Sequence, residues 1–317
     1  MIAIVLIAMA AGCASALMFA SLVSGALISL LLFYLAPLPL MVAALGWGPL
    51  SATIGGISAA IGLGAIFGLP YCIAFVVAIA LPAWWLGHLA LLGRPHAAGS
   101  APANDPALVE WYPVGRILLW IVVFAAITTT ATLLTLGSDG PTIKSTMRSG
   151  LVRILQSADV VLTDRGVDAL VTIAPAAAAI VTIMTLTLNL WLAARITAIS
   201  GRLHRPWPDL KSADLPPMTL VAFCVAIGLC FTGGLLAIVA QIFTAALMMA
   251  YAIIGFAVLH TVTLTIKSRG LWLSCSYAIV MVFSWPVLAM VALGLADAIF
   301  GIRRRYLQGR PPPLPAS

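Results

Sequence analysis

Through residue 92 the chain carries no Lys, Arg, Asp or Glu, and His88 is the one titratable side chain of consequence there. A stretch that long and that apolar on every face has no good solvent except lipid. A membrane-spanning helix needs about 20 apolar residues, because the hydrocarbon core is about 30 Å thick and a helix rises about 1.5 Å per residue. The pattern continues downstream: 63% of the 317 residues are hydrophobic and 8% are charged. Strict alternation of polar and apolar residues, as a lipid-facing barrel requires, is absent. Helices must therefore satisfy the backbone internally. The fold class read from this is all-α: a polytopic transmembrane helical bundle of about eight or nine spans, with one interfacial amphipathic helix. The polar stretches are too short to fold a separate soluble core.

Residues 1–92 have room for four helices, with breaks at Ser21–Gly25, at Pro37-Leu38-Pro39 with Gly46-Trp47-Gly48-Pro49, and at Leu69-Pro70. Ala10-Ala11-Gly12-Cys13 loosely resembles a lipoprotein cleavage box. No basic n-region precedes it, so residues 1–20 read as a retained first span. A polar loop covers 93–116, and residues 117–302 hold the remaining spans. Within them, Ile143, Met147, Leu151, Ile154, Leu155, Ala158 and Leu162 recur at helical spacing, with Lys144, Arg148, Arg153 and Gln156 largely between them. Segment 141–165 thus reads as an amphipathic helix, either lying in the interface or packed on the protein's own spans. A sixth span runs through Pro175. Residues 195–217 form a basic loop, 219–267 hold two spans with a turn near Thr232-Gly233-Gly234, and 271–296 break at Ser284-Trp285-Pro286. The tail, 303–317, is basic and Pro-rich and reads as disordered.

The net charge of +7 comes from basic residues flanking apolar runs, as anionic headgroups favour, and not from a nucleic-acid-binding face. Nine simple spans divide the loop and tail cations equally between the two sides. If the chain re-enters around Pro286, the tail joins loops 93–116 and 195–217 and the division becomes twelve to four. The four left over are Lys144, Arg148, Arg153 and Arg165. That count places loop 195–217 in the cytoplasm of a bacterial inner-membrane protein.

The candidate functional residues are few. Asn189 and His260 are polar at membrane depth, where a polar group either bonds a neighbouring helix or meets a ligand. Gln241 and His260 lie about 28 Å apart if one helix carries both. Arg195, Arg202, Arg205, Trp207 and Asp209 combine cations, a stacking aromatic and proline rigidity, suited to an anion or to a headgroup belt. The cluster Glu110–Arg116 reads as their neighbour on the same face. Ala52, Gly56, Ala60, Gly64 and Gly68 form a small-residue stripe, and Ala8, Gly12, Ala16 and Ala20 form another. Such stripes serve packing within the bundle or a docking face for a partner subunit. Cys13, Cys72, Cys224, Cys230 and Cys275 lack metal-ligand spacing and read as inert thiols. No hydrolase, phosphate-loop or metalloprotease motif is present, so neither an enzyme nor a cofactor is expected. No row of acidic residues lines a span, which disfavours an ion-coupled carrier.

The order Pro37-Leu38-Pro39, Gly46-Trp47-Gly48, Leu81-Pro82-Ala83, Glu110–Arg116, Asn189-Leu190-Trp191-Leu192, Ser200–Pro208 and Gly255 with His260 resembles the YybS-like family of bacterial polytopic membrane proteins, alphaproteobacterial branch. That family is distantly similar to the substrate-binding S components of energy-coupling-factor transporters. The resemblance implies an inner-membrane location, S-component-like helices over 1–92, and docking of the Ala10-xxx-Ala14 face on a membrane partner energised by an ATPase module. Two functional readings stay open: a small-solute-binding membrane component of a transport system, or a non-transporting scaffold for envelope or division proteins.

Overall fold

The computed structural model describes residues 2–95, 109–207 and 213–308. It is helical apart from one two-stranded hairpin, and seven of the described helical stretches are long and apolar enough to cross a membrane. Three further apolar helices are shorter, and all lie in the last third. The eight or nine spans expected from length alone thus become seven long helices plus these three. The chain forms two compact units: residues 1–131 with 181–208, and residues 132–180 with 209–317.

In the first unit, α1 (Ile2–Ala20) ends in a 3-10 turn at Ser21–Ser24. α2 (Leu27–Leu35) and α3 (Pro37–Trp47) follow, then α4 (Pro49–Phe67). Next come α5 (Leu69–Phe75), a π turn (Val76–Ala80) and α6 (Leu81–Leu91). The sharp reversals fall at Gly48 and Gly68, with φ of 93° and 91°. Only glycine adopts that conformation cheaply, and Pro49 and Pro70 then sit in first helical turns, where no N–H is needed. The π turn precedes Pro82, whose missing N–H cannot serve the carbonyl of Ala78; widening the helix accommodates this. β1 (Gly93–Pro95) pairs antiparallel with β2 (Val109–Trp111), which leads into α7 (Val114–Leu134).

Small residues bring the helices of this unit together. A Cβ on Gly12 would strike the Gly55 carbonyl, and one on Gly55 would strike the Ala8 carbonyl, so α1 and α4 touch backbone to backbone. Ala52, Gly56 and Ala60 are buried on the adjacent face of α4. A Cβ on Gly56 would lie 3.3 Å from that of Ala80, and one on Gly64 would lie 3.2 Å from that of Cys72. The stripe is therefore occupied by the returning α5–α6 segment. Gly64 and Gly68 are half-buried.

In the second unit, α8 (Gly140–Ser157) starts at Asp139, whose carboxylate accepts from the Thr142 N–H at 2.9 Å. The amphipathic helix expected to run to 165 stops at Ser157. Asp159 takes a positive φ of 55°, and α9 (Asp164–Ile199) starts afresh with Thr163 Oγ1 accepting from Gly166 N at 3.2 Å. Apolar spacing continues across this break, which is why it is invisible in the sequence. Ile143 is fully buried, whereas Ile154 and Val161 are 65% and 93% exposed. The first half of α8 thus packs on the protein and its far end does not.

α10 (Met218–Leu229) is 12 residues long and antiparallel to α11 (Gly234–Val262), with Thr219 beside Tyr251 and Cys230 beside Thr244. α12 (Arg269–Phe283) runs back along the end of α11, Arg269 reaching His260 and Tyr277 stacking on Phe256 at 5.1 Å. The chain turns at Ser284–Pro286, and α13 (Val287–Phe300) returns. A Cβ on Gly255 would strike the Met290 carbonyl, and one on Gly294 the Tyr251 carbonyl, so these backbones also touch. Past α13, Tyr306 on α14 (Ile302–Gln308) donates to the Val262 carbonyl at 3.1 Å. Both ends of the α12–α13 hairpin therefore lie at the C-terminal end of α11, and α13 runs parallel to it. The start of the tail, read as disordered, is helical over 302–308.

Candidate functional site

The polar residues of the first unit are largely committed to its own backbone. The α2–α3 helix breaks at Ala36, just before Pro37 and Pro39, neither of which has an N–H to give. Asn189, fully buried on α9, donates from Nδ2 to the Tyr34 carbonyl at 2.8 Å and to the Thr185 carbonyl at 2.7 Å. Ser15 donates to the Ala36 carbonyl at 2.5 Å. Both satisfy groups at the break that lipid would leave bare. Asn189 Oδ1 has no partner among the described residues.

The basic loop is stacked on indoles. The Arg195 guanidinium lies 5.3 Å from the Trp207 ring centre and 5.9 Å from that of Trp191. Arg202 lies 4.7 Å over Trp47, and Arg205 lies 5.9 Å over Trp111. Arg205 also donates to the carbonyls of Ala90 and Tyr112, at 3.2 and 3.0 Å. The loop and the Glu110–Arg116 cluster are therefore neighbours, as their composition suggested. Burial lowers the Arg205 pKa, though an arginine remains charged. Every Lys, Arg, Asp and Glu among the described residues of this unit lies in 94–116 or 195–205. Asp209 lies outside the described residues. Ala10 is exposed and Ala14 half-buried; the face of α1 that packs is Ala8, Gly12, Ser15 and Phe19.

His260, in the second unit, shares a 2.8 Å hydrogen bond with the Tyr277 hydroxyl, and Arg269 Nη2 lies 3.5 Å from its Nδ1. These contacts tie α12 to α11. Gln241 lies at the far end of α11 with Ile143, Met147 and Pro175, around a void of about 10 Å³ that holds one water at most. The helix is continuous, so Gln241 and His260 do not share a site.

The strongest polar cluster lies where α13 meets α14. Gly301, in the left-handed conformation at φ 62°, turns the chain so that Arg303 folds back on Asp297. Arg303 Nε donates to Asp297 Oδ2 at 2.7 Å, and its backbone N–H donates to Oδ1 at 2.8 Å. Nη2 donates to the Ala213 carbonyl at 3.0 Å and also to Asp214. The side chains of Arg303 and Asp297 are each 4% exposed, while that of Asp214 is 68% exposed. A guanidinium so far from water is stable only with such a set of acceptors.

This cluster forms one wall of a cleft of about 700 Å³. Leu215–Pro217, Thr219 and Leu220 form another wall, Tyr251 and Ile254 of α11 line it, and Arg304 and Arg305 complete it. The volume falls in the range of small-molecule sites, and the lining mixes apolar surface with a few charged groups. Sequence reasoning placed Asp297 at a span end and missed Arg303 and Asp214. Among the described residues no His, Cys, Asp and Glu side chains group as a metal site would require. Set against known protein families, curated proteins and solved structures, the chain finds no match.

Proposed function

We propose that this integral membrane protein is the small-solute-binding component of a transport system, with the solute seated in the cleft beside Asp297 and Arg303. The observation that carries the reading is that cleft: about 700 Å³ in volume, with a buried ion pair in its wall and two further arginines lining it. It is a binding site without the equipment of an enzyme. The Asp297 carboxylate, the group nearest to a general base, already accepts two bonds from Arg303. The sequence carries no phosphate loop of its own, so energy for transport comes from a separate ATPase module, as the YybS-like and S-component resemblance implies.

The return of α12–α13 to the end of α11 puts the tail on the side of Lys267 and Arg269, which favours the twelve-to-four distribution of cations. Loops 93–116 and 195–217 and the tail then face the cytoplasm of a bacterial inner membrane. The exposed end of α8, with Ile154 and Val161 beside Arg153, rests in the opposite headgroup layer.

A second reading, a scaffold for envelope or division proteins, draws on one observation: Arg195 and Arg202 are stacked on indoles and have no carboxylate partner among the described residues. Purification from native membranes in mild detergent, with mass spectrometry of co-purifying proteins, separates the two. An ATPase pair with a coupling membrane subunit supports transport. Envelope or division proteins without an ATPase, lost on Arg202→Ala with Arg205→Ala, support the scaffold.

A further inference from the structure

We propose that the ligand of the cleft is an anionic amphiphile: a phosphate-bearing headgroup held at Arg304 and Arg305, with an apolar chain laid along Leu215, Leu220, Ile254 and Ile299. This rests on the reading of the cleft as a ligand site and gives that ligand its chemical class.

The charges lining the cleft are not equivalent. Arg303 is buried and faces two carboxylates, so its charge is met within the protein. Arg304 and Arg305 follow it in sequence, line the same cleft, and have no carboxylate within ion-pair distance among the described residues. Adjacent guanidiniums present forks of N–H donors that match the oxygens of a phosphate. The Asp297 carboxylate would repel an anion if it stood alone. Bonded twice to Arg303, it contributes little free negative charge to the cleft.

The remaining lining argues for a tail. Leu215, Pro216, Leu220, Ile254, Ile299 and Phe300 are apolar and contribute to the walls. A small hydrophilic anion would leave these side chains facing water, whereas an acyl or prenyl chain covers them. The two polar groups deeper in the lining, Thr219 and Tyr251, are bonded to each other at 3.0 Å, and Thr219 also donates to the Pro216 carbonyl at 2.7 Å. They are already partnered and make no demand for a polar ligand at that depth.

The test uses the full-length protein in maltoside micelles, with thermal unfolding followed by tryptophan fluorescence. A ligand that binds the folded state raises the transition by mass action. The probes are dioctanoyl phosphatidic acid, inorganic phosphate, and dioctanoylglycerol as the same tail without phosphate. The expected result is saturable stabilisation by the phosphatidic acid alone. Arg304→Gln with Arg305→Gln weakens it about tenfold or more, as loss of charge-assisted bonds requires, while Lys144→Gln on α8 leaves it unchanged. Equal stabilisation by inorganic phosphate makes the ligand a free anion and overturns the amphiphile. Undiminished lipid binding in the double variant overturns the arginine site. Leu220→Trp, which fills the cleft, separates the two levels. If no probe binds, but a small molecule extracted from the purified protein disappears in Leu220→Trp, the class proposed is wrong and the cleft remains a ligand site. If Leu220→Trp changes neither probe binding nor the extracted small molecules, the cleft reading itself fails.

Discussion

Replacing Asp297 with Ala removes the main counterion of a guanidinium that is 4% exposed. Two bonds disappear, Nε to Oδ2 at 2.7 Å and the Arg303 backbone N–H to Oδ1 at 2.8 Å. What remains for Arg303 includes the Ala213 carbonyl and the carboxylate of Asp214, which lies largely in solvent. Breaking a buried pair by deleting one member costs about 3–5 kcal/mol, because the survivor is left charged and dry. Deleting an exposed partner, as in Asp214→Ala, costs about 0–1 kcal/mol. The prediction is that contrast, together with a rescue. Asp297→Leu with Arg303→Met removes both charges and recovers most of the loss seen in Asp297→Leu alone. Equilibrium unfolding of the purified protein in mixed SDS and maltoside micelles, read by tryptophan fluorescence, measures all four variants. An Asp297→Ala variant within about 0.5 kcal/mol of the parent, or an Asp214→Ala variant equally damaged, would refute the reasoning.

The helix crossings predict a second contrast. Gly255→Ala and Gly294→Ala each place a methyl on a partner carbonyl and cost about 1–3 kcal/mol in the same assay, whereas Gly228→Ala, with nothing within 4 Å of its Cβ, is neutral or mildly stabilising. Gly56→Leu and Gly64→Leu force α4 away from the α5–α6 segment and lower the yield of monodisperse protein on size exclusion; two normal elution profiles would make the stripe mere composition. Arg205→Ala leaves the Ala90 and Tyr112 carbonyls without that donor and costs about 1–3 kcal/mol, against about 0.5–1 kcal/mol for Arg202→Ala, and hydrogen exchange at β2 rises only in the first. The bonds from Thr142 hold the Asp139 carboxyl below its ordinary value. Its stabilising contribution is therefore present above the unfolded-state value, about 4, and is lost as pH falls through the lower folded-state value. Amide protection at Thr142 should drop over that acid range, and Asp139→Ala should abolish the dependence.

Much of the helical layout is written in local chemistry. Gly48-Pro49 and Gly68-Leu69-Pro70 mark reversals because glycine supplies the positive φ and proline starts the next helix. The end of α8 is not legible, because Val160 to Leu162 keep the apolar rhythm while Asp159 has already left the helix. Length and hydropathy count residues 271–302 as one span and cannot tell it from a hairpin; only Ser284-Trp285-Pro286 hints at the turn. The polar loops were legible as a pair, since Arg and Trp recur in both and meet as Arg205 with Trp111. The cleft was not. Arg303 is six residues from Asp297, a spacing that no regular helix brings to one face, and the two meet because Gly301 turns the chain between them. Asp214 comes to Arg303 from 89 residues away, with no local signal to announce it.

The cleft exists because the α12–α13 hairpin carries the tail back to the C-terminal end of α11. That is tested most directly by single-cysteine labelling in sealed, oriented membrane vesicles, after replacing Cys13, Cys72, Cys224, Cys230 and Cys275. Ser157→Cys marks the end of α8, Ser268→Cys the end of α11, and Gln308→Cys the end of α14. The account predicts that an impermeant maleimide reaches Gln308→Cys and Ser268→Cys from the same side, and Ser157→Cys from the other. Labelling of Gln308→Cys from the side of Ser157→Cys would mean that the last segment spans the membrane, and the cleft and its ligand would fall with the hairpin.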